Sequence, residues 1–191
     1  MKHFLFLVSI FSWISIVSFT QESNEVKIVW SESVRLKSSD FKARTPQHAL
    51  EKKLKKGHRR SSLEGYIFSG IGFIAEQKGH NITYHIQAFM VPNQSWLRDA
   101  NSATTLEHEQ AHFDITEIYS RLIKKELQHT KSVKQGSKVY HRLFKSLQDQ
   151  QNAFDADHLG EDGVNEKWKV RINKDLNRLV QYSNASVVVK I

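Results

Sequence analysis

The stretch Ile82–Glu117, "ITYHIQAFMVPNQSWLRDANSATTLEHEQAHFDITE", changes its hydrophobic period part-way along, and that change sets the fold class. In its first eight residues Ile82, Tyr84, Ile86 and Ala88 alternate with Thr83, His85, Gln87 and Phe89, the period of two expected of a strand with one buried face. Pro92 and Asn93 end the strand. Beyond Ser102 the period becomes helical. Counted from His108 at about 100° per residue, Ile115, Tyr119 and Leu122 return to within about 40° of it, so His108 lies on the apolar stripe that a helix turns toward the core.

Upstream, "YIFSGIGFIAEQ" and the turn-like "KGHN", Lys78 to Asn81, complete an antiparallel hairpin with that strand. "EVKIVWSESVRL" is a further strand with Val26, Ile28 and Trp30 on one face, ended by Ser38-Ser39-Asp40. Residues 42–64 are polar and basic, a long loop or a weak helix. Downstream, three helical segments at 102–128, 137–158 and 164–182 are separated by "HTKSVKQGS" and by the break at Gly160 to Gly163, and "SVVVKI" adds a terminal strand. The predicted class is α+β, an N-terminal antiparallel sheet followed by a motif-bearing helix and two further helices. The strand Thr83 to Phe89 is a candidate edge for an extended peptide, with Tyr84 or His85 near an oxyanion.

The 191 residues, 39% hydrophobic and 25% charged, suit one globular domain. "MKHFLFLVSIFSWISIVSFTQES" has a basic start, an apolar run from Phe4 to Val17 and small polar residues after it. This predicts a signal peptide over 1–20, a single domain over 21–191, and a secreted or periplasmic location. The chain has no cysteine, which excludes a disulfide framework and a thiolate-bound metal. Any metal must be held by His, Asp or Glu. Of the formal charge of +8, much lies in "KKLKKGHRR", Lys52 to Arg60. Without interleaved aromatic residues to stack on bases, this run points to a solvated loop with weak contact to an anionic envelope surface, and to no specific nucleic acid.

Within the helix, His108 and His112 are four residues apart, on one face, and can reach one tetrahedral ion. Glu109 sits about 100° round and can act on a water without being a ligand, the division of labour of an H-E-x-x-H helix. Glu117 lies on the opposite side, and Glu126 is about 21 Å along the axis from His112. Leu143, Leu147, Phe154 and His158 share the inward face of the next helix, which makes His158 a candidate third ligand. Helix capping is its other reading, and Asp155 and Asp157 are alternative oxygen ligands. Asp114 and Glu117 are candidate partners for the ligands' second nitrogens, although Asp114 more readily orients a neighbouring element.

Ser95, Trp96 and the run Leu106, His108, Glu109, Gln110, His112, Phe113, Asp114, Ile115 and Glu117 resemble domain-of-unknown-function family 922, predicted secreted zincin-like zinc-dependent proteases of bacteria. Trp30, the element Ser39 to Lys42, and the order Phe154-Asp155, His158, Trp168 extend the resemblance over most of the chain after residue 20. It implies a zincin-like metallopeptidase with Zn²⁺ on His108, His112 and His158, Glu109 as general base, and a peptide or protein substrate. A zinc-stabilised, catalytically inactive envelope binding module with a basic patch is the other function expected of the same residues.

Overall fold

The computed structural model describes residues 25–46, 64–158 and 163–191. The segment 1–20 and the run Lys52 to Arg60 lie outside the described residues. The elements are β1 (Ile28–Val29), β2 (Gly65–Tyr66), β3 (Ser69–Lys78), β4 (Asn81–Met90), β5 (Trp96–Leu97), α1 (Ala103–Leu127), α2 (Val133–Asp157), α3 (Glu166–Arg178) and β6 (Ser186–Lys190). The class is α+β, with an antiparallel sheet and three helices.

β3 and β4 pair over their full lengths, from Ser69↔Met90 to Lys78↔Asn81, leaving Gly79 and His80 in the turn. Gly79 has φ of 58°, a backbone region that disfavours any residue with a Cβ. On its other side β4 pairs with β6 from Asn81↔Lys190 to His85↔Ser186, and with β1 at Ile28↔Met90 and Val29↔Phe89. Between these ladders the Ile86 amide bonds to Ala185 O and the Ala88 carbonyl accepts from Trp30 N.

Thr83 to Phe89 is therefore a central strand, not the open edge expected from its sequence. Tyr84 is fully buried, with its hydroxyl on Ser132 O and Thr130 Oγ1, and so stands away from any oxyanion. The alternation along β4 matches its burial, with Ile82, Tyr84, Ile86 and Ala88 inward. It cannot tell an edge from a centre, because pairing with β1 and β6 joins segments far away in the chain.

The inward residues Ile82, Tyr84 and Ile86 share one core with Ala111, Ile115 and Ile118 of α1, Leu143, Leu147 and Phe154 of α2, and Trp168 and Ile172 of α3. Leu36, Ile67, Ala88, Met90 and Phe113 form a second cluster. Each helix starts at a side-chain cap: Ser102 Oγ accepts from Thr105 N, Ser132 Oγ from Gln135 N, and Asn165 Oδ1 from Trp168 N. Such caps contribute about 1 kcal/mol each. Gly136, in the first turn of α2, lies so close to Tyr84 that a Cβ there would stand 2.5 Å from the hydroxyl.

Nearly every face of α1 beyond His108 is covered, so it is the axis of the domain rather than a surface helix. Its Asp114 accepts from Trp30 Nε1 at 2.8 Å, from Arg35 Nη1 at 3.2 Å and from Gln110 Nε2 at 2.8 Å, and Gln110 Oε1 takes the Leu36 amide. Together Gln110 and Asp114 pin the segment 30–36 to the helix. Among the described residues, no helix is long and apolar enough to cross a membrane.

Candidate metal centre

α1 and α2 form a helical hairpin whose closed end is the short loop after Leu127, and the site lies toward the other end. His108 and His112 extend from successive turns of α1 and meet Asp155, in the last turn of α2. His108 Nε2 is 3.2 Å from Asp155 Oδ1, His112 Nε2 is 2.8 Å from the same oxygen, and the two Nε2 atoms are 3.1 Å apart. Among the described residues this is a group of donors able to share one metal ion. Its floor is Phe154, fully buried, whose ring centre lies 4.7 Å from that of His108 and 4.8 Å from that of His112.

The tautomer of His112 follows from its neighbours. Gln151, one turn before Asp155, directs Nε2 at two acceptors, His112 O at 3.0 Å and Thr116 Oγ1 at 3.1 Å. That orientation leaves Gln151 Oε1 facing His112 Nδ1 at 2.5 Å, so Nδ1 carries the proton and donates it. The Thr116 hydroxyl is spent on His112 O, so Ser69 Oγ donates to Thr116 Oγ1 at 2.9 Å and ties the start of β3 into the same network.

With its proton committed to Gln151, the neutral His112 ring turns a bare Nε2 lone pair toward Asp155 Oδ1 and His108 Nε2. Two lone pairs, on His112 Nε2 and Asp155 Oδ1, then face each other at 2.8 Å, an arrangement that repels unless a proton or a cation lies between them. Two imidazoles and a carboxylate are a donor set that suits Zn²⁺. Ligand atoms about 2.0 to 2.1 Å from a tetrahedral ion stand roughly 3.3 Å apart, close to the triangle seen here. The residues present fit the ion.

In the absence of an ion, protonation answers the same need. Burial disfavours the His112 imidazolium, but the hydrogen bond it donates to Asp155 and the nearby Glu109 carboxylate outweigh it and raise the His112 pKa above its ordinary value. Burial would push Asp155 up, yet hydrogen bonds to His108 and His112 hold its carboxyl far below the usual range.

Glu109 is buried beside the triangle. Burial drives its pKa up against the opposing pull of His112 and His108, and the Ile67 amide facing its carboxylate works with the histidines. The chain passes close by because residue 65 is glycine: a Cβ there would stand 2.7 Å from Glu109 Oε1 and 2.9 Å from Thr105 Cγ2. β2, held to β5 at Gly65↔Leu97 and Tyr66↔Trp96, thus forms a backbone wall against the glutamate. Flanking Ile67, Tyr66 and Phe68 remain partly exposed.

Of the predicted residues, the structure brings together His108, Glu109 and His112. His158 is inward-facing and buried as its spacing predicts, but it does not join the triangle. Its Nε2 accepts from Asn165 N at 3.0 Å and its Nδ1 donates to Phe154 O at 2.7 Å, which engages both nitrogens and ties the end of α2 to the cap of α3. Asp157 is held by Trp168 Nε1 at 2.9 Å. Glu117 binds Arg121 on another face of α1, and Glu126 pairs with Arg142, so neither reaches the histidines.

Comparison with protein-family models, curated proteins and solved structures finds no match. Gln151 was not anticipated from the sequence, and the one signal for it was its spacing of four from Asp155.

Proposed function

We propose that this protein is a secreted zinc-dependent peptidase of zincin-like architecture, with the metal on His108, His112 and Asp155. The observation that carries the reading is the convergence of three lone-pair donors next to a buried glutamate that is not one of them. Zn²⁺ held there would polarise water enough to supply hydroxide near neutral pH. Glu109 takes the proton from the attacking water on its carboxylate, a role that its raised pKa suits, and returns it to the leaving amine. Gln151 keeps His112 in the tautomer whose Nε2 can bind metal. The backbone at Gly65 to Ile67 fixes the position of Glu109. Resemblance of Leu106 to Glu117 to the predicted secreted proteases of family 922 points the same way, with a peptide or protein as substrate.

The test is zinc per chain by elemental analysis, followed by hydrolysis of an unfolded protein substrate. Wild type should hold one zinc ion and cleave, Asp155→Ala should lose zinc, and His158→Ala should keep it. Glu109→Gln should keep zinc and fold while losing hydrolysis. Zinc bound by wild type with no hydrolysis of any peptide would instead favour the metal-stabilised binding module, and zinc lost only from His158→Ala would return the third position to that histidine.

A further inference from the structure

A second group of ionisable side chains lies further along α1, away from the histidines. Glu117, Arg121 and Lys124 are each at most 4% exposed. Arg121 is well engaged: Nε is 2.8 Å from Glu117 Oε1, Nη1 is 2.7 Å from Leu176 O, and the guanidinium lies against the Trp30 ring. Lys124 is not. Its ion-pair partner Glu117 Oε1 is 3.9 Å away, beyond hydrogen-bond reach, and already accepts from Arg121. Burial, opposed by Glu117 and reinforced by Arg121, holds the Lys124 pKa below its usual value.

These three residues line a cavity of about 190 Å³ together with Trp30, Ile86, Ala88, Ser183 and Ala185. Two buried cations face one buried carboxylate, so one positive charge is uncompensated within low-dielectric walls. Glu32 is the remaining charged residue of the lining, and it is exposed.

We propose that this cavity binds the carboxylate of a small organic acid, paired with Lys124 beside Arg121, with the acid's apolar body toward the half-buried Trp30. A monoanion matches the one buried cation that lacks a hydrogen-bonded partner, whereas a phosphate dianion would meet stronger repulsion from Glu117 and Glu32. The volume is larger than a bare ion needs, and is of the order of a cavity that holds one benzene ring. The site does not depend on the peptidase reading, because it shares no residue with the metal centre.

Calorimetry on the full chain with benzoate, its neutral counterpart benzamide, and inorganic phosphate tests the proposal, with the Trp30 indole N–H resonance as the local reporter. Benzoate should bind one per chain and shift that resonance, while benzamide and phosphate bind at least about tenfold more weakly. Lys124→Met should reduce benzoate affinity at least about tenfold with its melting temperature kept or raised, since replacing a poorly paired buried charge by a similar apolar volume need not destabilise. Equal affinity for benzamide, tighter binding of phosphate, or unchanged affinity in Lys124→Met would overturn it. So would failure of acetate, butyrate and benzoate alike to saturate the Trp30 shift by about 10 mM. If the variant does not fold, the wild-type comparison of benzoate with benzamide still decides.

Discussion

Gln151 and His112 are joined through both ends of one amide: Oε1 accepts from the imidazole Nδ1 at 2.5 Å, and Nε2 donates to the histidine's own carbonyl at 3.0 Å. The ring is therefore held in orientation and tautomer by a neutral side chain from the facing helix. Gln151→Ala should weaken zinc binding about 10- to 100-fold, measured by competition with a chromophoric chelator. Gln151→Glu, which keeps the acceptor at Nδ1, should recover most of the loss. An unchanged affinity in the alanine variant would deny Gln151 this positioning role.

Asp155 and His158 lie three residues apart, Asp155 against His108 and His112 and His158 between Phe154 O and Asn165 N. Asp155→Asn should abolish stoichiometric zinc with little effect on the fold of the metal-free protein near pH 8, because its side chain is half exposed. His158→Ala removes the link between Phe154 O and Asn165 N and leaves a buried void, so it should cost about 2–4 kcal/mol in urea unfolding while zinc stays bound. The reverse pattern would exchange their roles.

Gly65→Ala places a methyl group into the Glu109 carboxylate and Thr105. The expected result is zinc binding within about twofold of wild type, a stability loss of about 1–3 kcal/mol, and hydrolysis reduced at least about tenfold. Full hydrolysis in this variant would show that the glutamate tolerates displacement and is not the proton carrier.

The apparent charges of the site predict opposite pH trends with and without metal. In chelated protein, His112 titrates above its ordinary 6.5, so its contribution is full below that value and is lost as pH rises through the raised pKa. Asp155 titrates far below its ordinary 3.8, so its contribution is present above that value and is lost as pH falls through its depressed pKa. The melting-temperature difference between chelated wild type and Asp155→Asn should thus be greatest from about pH 4 to 6.5 and shrink above it. Stabilisation by added zinc should instead grow with pH, because protons compete for the same nitrogens. A zinc effect that declines toward pH 8 would contradict these assignments.

What the sequence revealed was what is written locally. The helical spacing beyond Ser102 placed α1, and "KGHN" marked the hairpin turn. The separator "HTKSVKQGS" runs too far, because α2 begins inside it, at Val133, and Gly136 is there because Tyr84 packs against it. β1 keeps only Ile28 and Val29 of the strand expected around Trp30, whose indole turns instead to Asp114. At the site, His108, Glu109 and His112 were legible as a motif on one helix. Asp155 was visible only as one of three candidates, since its proximity arises from helix packing, and Gln151 belongs to no motif because a neutral amide acquires its role only opposite His112.

The hairpin of α1 and α2 is joined covalently by the loop after Leu127, and the convergence of His108, His112 and Asp155 lies at its other end. An ion bound there would act as a clasp, closing a ring of which the loop is the other fastening. Its removal should be felt as loosening of the turn from Gln151 to Asp155, while Asp157 and His158 still tie the end of α2 to α3. Amide exchange over that turn would then measure metal occupancy directly in a protein whose substrate need never be found.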